Sequence, residues 1–106
     1  MSVQATLLAL GDPVRLGVVT QLRAGPARAG ALAQALGVRP NALSPHLRVL
    51  REAGLVTEHL DDADRRAHLL TLRPDPFLEL ADWATEATRL WTDQLAAFSA
   101  HFQKAP

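Results

Sequence analysis

Between residues 41 and 54, side chains able to read the edges of DNA bases recur on one side of a potential helix. At about 100° per residue, Asn41, Ser44, Pro45 and Arg48 cluster together, with Arg51 and Glu52 at the edges of that face. Leu43, Leu47, Leu50 and Gly54 fall on the opposite, core-like face. Asn pairs with adenine, Arg with guanine, and Ser with a phosphate or a base edge, so the polar face suits a major groove. It would equally suit plain solvation. His46 falls nearly opposite Ser44, close to the core edge, where a structural, hydrogen-bonded histidine is expected. Arg39 and Arg28, upstream, are phosphate contacts or solvated cations.

Other chemistries find less support. There is no cysteine, which excludes disulfides, thiolate metal sites and thiol nucleophiles within this chain. No paired carboxylates in a plausible cleft, nucleophile–base spacing or Gly-rich phosphate loop stands out, so an enzyme is not expected. His59, His68 and His101 are isolated and read as surface residues rather than zinc ligands. Formal net charge is zero, but its distribution is uneven. Residues 1–60 carry six arginines against three carboxylates; residues 61–106 carry five basic residues against eight carboxylates. Ten of the eleven basic residues are arginine, the side chain suited to bidentate phosphate and guanine contacts.

These residues need elements to hold them. At 106 residues, about half of them apolar, the chain suits one domain with a real core. Val3–Leu10 follows Ser2, a plausible N-cap, and Gly11 ends that segment. Asp12-Pro13 has the grammar of a second helix start, running to about Ala24 before Gly25-Pro26 breaks it. Ala29 to Leu36 reads as a short helix stopped by Gly37. The Leu43–Leu47–Leu50 repeat follows within a few residues, the spacing of a helix-turn-helix over about 29–54. Leu55–Leu60 and Arg66–Leu72 read as strands around a turn, a hairpin wing over about 55–72. After a turn-like "RPDP" at 73–76, a helix of about 77–103 carries an apolar stripe through Leu80, Ala87, Trp91, Leu95, Phe98 and Phe102, widened by Trp83. The fold class is mostly α with a small β-hairpin: a winged helix-turn-helix with a long C-terminal helix. The N-terminus lacks a basic leader and no apolar run approaches a membrane span, so a cytoplasmic protein is expected.

Pro45 interrupts the pattern. Either the helix begins at Ser44, or it begins near Pro40 and carries Pro45 through a loosened, 3₁₀-like first turn. We favour the second, because a start at Ser44 would strand Leu43 outside its own stripe.

"LGDPVRLGVVTQL" (10–22), "LAQALGV" (32–38) and above all "LSPHLRVLREAGLV" (43–56) resemble the ArsR/SmtB family of bacterial winged-helix repressors. The resemblance covers almost the whole chain. It implies a homodimer on a double-stranded DNA operator with an inverted repeat, groove contacts at Asn41, Ser44 and Pro45, and first and last helices forming the dimer contact. Leu7, Leu80, Trp83, Ala87, Trp91, Leu95, Phe98 and Phe102 are then the expected interface. Arg65 and Arg66 stand where the family commonly has a Gly-Arg pair on its wing, although Asp61, Asp62 and Asp64 surround them. The family's metal-sensing patterns do not match. The helix before the reading helix has no cysteine, and Asp82 is followed two residues later by Ala84 rather than histidine. No metal or other cofactor is therefore expected, and any effector would be an unidentified small molecule. The alternative is a winged helix used only for contact with another protein.

Overall fold

A computed structural model describes residues 2–104 of the chain, and their side chains as far as His101. The elements run α1 (Val3–Leu10), α2 (Pro13–Leu22), α3 (Ala29–Leu36), α4 (Pro40–Glu52), β1 (Val56–Leu60), β2 (His68–Leu72) and α5 (Pro74–Lys104). Local chemistry explains most boundaries. The Ser2 hydroxyl accepts from the Ala5 N–H at 3.1 Å and starts α1. The Asp12 carboxylate accepts from the N–H groups of Val14 (2.8 Å) and Arg15 (3.2 Å) and starts α2, with Pro13 at the first helical position.

α3 and α4 both end in a glycine with positive φ: Gly37 at +67° and Gly54 at +77°. Val38 N–H bonds the Ala33 carbonyl and Gly37 N–H that of Gln34; Leu55 N–H bonds Leu50 and Gly54 N–H bonds Arg51. This double bond pattern satisfies the last carbonyls of a helix and turns the chain sharply. It lets α3 and α4 pack closely with only Gly37–Arg39 between them, and sends the chain from α4 directly into β1.

β1 and β2 pair antiparallel, from Val56 opposite Leu72 to Leu60 opposite His68. Ala27 adds a single rung on the other side of β2, exchanging bonds of 3.1 and 2.8 Å with Leu70. The core lies among these elements: Val18 and Leu22 of α2, Leu32 of α3, Leu43, Leu47 and Leu50 of α4, then Leu55, Val56 and Leu70. Each α4 leucine is at most 5% exposed, and burying such a side chain contributes about 1.5–3 kcal/mol. The fold is the winged helix-turn-helix that the sequence suggests, mostly helical with a two-stranded wing.

α4 runs unbroken from Pro40 through Pro45. Its first turn is tightened: the Arg39 carbonyl accepts from both Ala42 and Leu43, each at 3.0 Å. The start at Ser44 is therefore excluded. Three boundaries differ from the sequence reading by two residues or more. "RPDP" is not a turn, because α5 already begins at Pro74. Prolines fit a first turn whose N–H groups need no partner, so the same letters that signal a turn also open a helix. α2 stops at Leu22, where Ala24 and Gly25 N–H groups bond Gln21 and Leu22 in a tighter turn. The second strand begins at His68 rather than Arg66, because Asp64 takes the N–H groups of both Arg66 and Ala67.

α5 is 31 residues long. It stretches the molecule to 72 Å, against 25 and 21 Å in the other directions. α1 packs against it. Beyond Leu80 every residue up to His101 is exposed. No described helix is long and apolar enough to cross a membrane.

Two glycines give opposite expectations for the same substitution. Gly30 is helical, and an added Cβ meets nothing within 4 Å. Gly30→Ala should stabilise the protein by about 0.5–1 kcal/mol. Gly37 has equal room, but its left-handed backbone penalises any Cβ. Gly37→Ala should destabilise by about 1–2 kcal/mol. Urea unfolding of both variants checks this, and shifts of the same sign would contradict it.

Candidate nucleic-acid interface

The polar face read from the sequence exists as one surface. Asn41, Ser44, Pro45, Arg48, Val49 and Arg51 line a shallow depression of about 590 Å³ along α4. The buried Leu43, Leu47 and Leu50 on the opposite face fix how this surface is turned outward. The Ser44 hydroxyl donates to the Pro40 carbonyl at 3.1 Å, one turn back. Pro45 has no N–H to donate to the Asn41 carbonyl one turn back. Arg48 approaches Glu52 at 3.7 Å, with both side chains more than 70% exposed. Such a pair holds weakly and leaves the guanidinium available. Arg51 is more committed, donating to Glu58 of β1 at 3.3 Å. Arg39 precedes the helix, exposed and making no capping bond with its side chain.

On the wing, Arg65 and Arg66 are exposed, and neither guanidinium pairs with a carboxylate among the described residues. Arg28 is not a free cation. Its Nη2 lies 3.0 Å from Asp61 and 3.8 Å from Asp64.

His46 sits at the core edge, part-buried. Its Nδ1 lies 3.1 Å from Arg15 Nη1 and 3.8 Å from the Asp12 carboxylate. Arg15 can only donate, so its bond to Nδ1 assigns the ring proton to Nε2. Arg15 also donates from Nε to the Ala9 carbonyl at 2.6 Å and from Nη2 to that of Leu8 at 3.4 Å. Sequence reasoning did not single out Arg15 as part of this arrangement. Its partner on α4 is 31 residues away, and no local pattern announces such a contact. The Arg15 backbone N–H holds the Asp12 carboxyl below the usual aspartate range. The Val14 N–H and the positive charge of Arg15 add to this, against partial desolvation.

The residues expected at a dimer contact are open in the single chain. Trp83 is 52% exposed, Trp91 62%, Leu95 46% and Phe98 61%; Ala87 and Leu7 are exposed too, and Leu80 is half-buried. Neither tryptophan belongs to the core of one chain. The Phe102 side chain lies outside the described residues. Among the described residues no three His, Asp or Glu side chains gather as a metal site would require. An apolar cleft of about 620 Å³ opens where α5 leaves the wing, lined by Val19, Arg23, Leu72, Pro74, Phe77 and Leu78.

Comparison with known proteins places this geometry among relatives. A family model described as a helix-turn-helix domain matches residues 10–59. The HTH-type transcriptional regulator NmtR of Mycobacterium tuberculosis is 52% identical over 54 residues, which is 51% of this chain and only 45% of that protein. The HTH-type transcriptional regulator Rv2034 of the same organism is 37% identical over 91 residues, covering 86% of this chain and 79% of the relative. The crystal structure of an ArsR family transcriptional regulator superposes with a TM-score of 0.71 at 26% identity, covering 84% of this chain and 89% of that one.

Removing the Asp12 cap should loosen the start of α2 and the Arg15–His46 contact beside it. A carboxylate held below its ordinary value stabilises the fold above the unfolded-state value and loses that effect as pH falls through the folded one. Asp12→Ala should therefore lower the urea midpoint at pH 7. The gap to the unsubstituted protein should narrow below about pH 4. An equal gap at pH 7 and pH 3 would rule out the charge as its origin.

Proposed function

We propose, from the premise that this chain belongs to the ArsR/SmtB family of winged-helix transcriptional regulators, that it acts as a dimer that grips a DNA operator and represses transcription there. The observation that carries this reading is the seating of α4. Three buried leucines hold one face, while Asn41, Ser44, Pro45 and Arg48 project together from the other. A helix held this way presents a fixed set of donors, acceptors and apolar surface to a major groove. Arg48 reads guanine, Asn41 reads adenine, Pro45 packs against a thymine methyl, and Arg39 with the wing arginines meets phosphate. The Ser44 hydroxyl is turned back onto its own helix; its role is contact, and nothing near it would activate it as a nucleophile.

The second copy follows from α5. Trp83, Trp91, Leu95 and Phe98 form an apolar surface that one chain leaves open, and burying it against its own symmetry mate closes the assembly. Two reading helices related by a two-fold axis require an inverted repeat, with half-sites about one helical turn apart. A winged helix used only for protein contact would leave the exposed α4 face without a task.

Footprinting of the purified protein on its own upstream region, across salt concentrations, tests the reading. Protection of a short inverted repeat that weakens steeply with salt is expected. Arg48→Ala should lower affinity about 10- to 100-fold and relax specificity at one base position. No protection at low salt, together with a stable complex with another protein, would favour the alternative. Leu95→Glu should shift the protein from dimer to monomer in sedimentation, with the wing and α4 still folded. A protein that sediments as a monomer without the substitution would remove the two-fold argument.

A further inference from the structure

We propose that Arg28 is the positioning residue of the wing: it holds the two carboxylates that build the hairpin tip and offsets part of their charge, so that Arg65 and Arg66 can approach phosphate. This rests on the DNA-binding reading above.

The tip is acidic by composition, with Asp61, Asp62 and Asp64 beside only two arginines. On sequence alone that makes a poor surface to bring toward a phosphate backbone. The structure gives two of the three carboxylates other work. Asp61 Oδ1 accepts from the Ala63 N–H at 2.9 Å, and Asp64 Oδ1 from the Arg66 N–H at 3.1 Å. Each is an Asx turn, in which a side chain replaces a backbone acceptor and folds the loop. The Asp64 carbonyl then takes the Ala67 N–H at 2.9 Å, and the Ala67 carbonyl takes the Asp61 N–H at 3.0 Å, closing the tip. The carboxylates set the backbone at Arg66 and beside Arg65; they are construction residues.

Their remaining oxygens face one cation. Arg28 Nη2 lies 3.0 Å from Asp61 Oδ2 and 3.8 Å from Asp64 Oδ2. Arg28 does not reach there by chance of a flexible side chain. Its backbone follows Ala27, which exchanges two hydrogen bonds with the buried Leu70 of β2, and it stands at the start of α3. Arg28 is thus anchored between the helix-turn-helix and the wing, and its guanidinium spans the gap to the tip. The Ala63 N–H and the Arg28 guanidinium hold the Asp61 carboxyl below the usual range. With the charge of Asp61 offset by Arg28, and Asp64 drawn toward the same guanidinium, Arg65 and Arg66 face less opposing charge at the tip than the three aspartates suggest.

The competing role for Arg28 is a direct phosphate contact, and a mutant cycle separates the two. Arg28→Ala, the pair Asp61→Asn with Asp64→Asn, and all three together are compared with the unsubstituted protein. Affinity is read by fluorescence anisotropy on a duplex from its own upstream region and on a duplex of arbitrary sequence, over a salt series. Asparagine keeps the turn acceptors and removes the charge. Arg28→Ala should weaken binding to both duplexes about three- to tenfold, because unmasked carboxylates then face phosphate. The asparagine pair should restore affinity far more in the Arg28→Ala background than in the original protein. In Arg28→Ala, the amides of Ala63 and Arg66 should also exchange faster with deuterium. Equal gains from the asparagine pair in both backgrounds, with the salt slope of Arg28→Ala falling by about one, would overturn the proposal and make Arg28 a phosphate ligand. Unchanged affinity in Arg28→Ala would overturn it as well. If the unsubstituted protein binds neither duplex at low salt, the DNA reading itself falls, and this role of Arg28 with it.

Discussion

One arginine ties three helices together. Arg15 donates to the Leu8 and Ala9 carbonyls at the end of α1 and to His46 in the middle of α4. The last carbonyls of a helix have no partner within it and must find one elsewhere. α1 ends at Gly11 without a positive-φ cap, and Arg15 adds its donors to the single bond of the Gly11 N–H to the Leu8 carbonyl. The same side chain fixes the rotation of α4 through His46. Because α1 packs along α5, the contact relates the long helix to the reading face. Asp12 supports it from the other side, capping the helix that carries Arg15.

The motif histidine acquires a definite role in this frame. It belongs to the most specific run of the sequence, between Pro45 and Leu47, yet it faces inward. It links α4 to α2 through Arg15. Pro45 is its opposite: adjacent in sequence, outward in space, and close to a first turn that is already irregular at the shared Arg39 carbonyl. A proline in a helix interior costs about 3 kcal/mol or more because of a lost bond and a clash with the preceding turn. Near the N-terminus, where Pro40 begins the helix, few bonds precede it to be lost.

What could be read from the sequence was what short-range chemistry decides. Gly37 and Gly54 announced the ends of α3 and α4, because a positive-φ cap needs glycine within one or two residues of the last apolar position. The leucine stripe of α4 announced its buried face, since helical periodicity carries that signal over three turns. Two kinds of feature were not legible. "RPDP" failed because proline and aspartate serve turns and helix starts alike, and only the packing of buried Pro76 decides between them. Arg15–His46 and Arg28–Asp61 failed for another reason. Their partners are 31 and 33 residues apart, and they meet only because the fold brings them together. The sequence reading likewise did not show that two of the three tip aspartates accept backbone N–H groups.

The outer part of α5 has a consequence for how this protein persists at all. From Ala81 to His101 the helix is exposed along its whole length, so its own chain supplies it with almost no tertiary support. Helix nucleation is costly in water, and most helical stability in proteins comes from packing of a helix face against other structure. Under the dimer reading, the order of this segment becomes a function of how many copies are present, by mass action. At low abundance each chain would be a folded reading head with a fraying stalk, open to proteases. At higher abundance the stalks would protect one another, and the quantity of regulator would set its own lifetime.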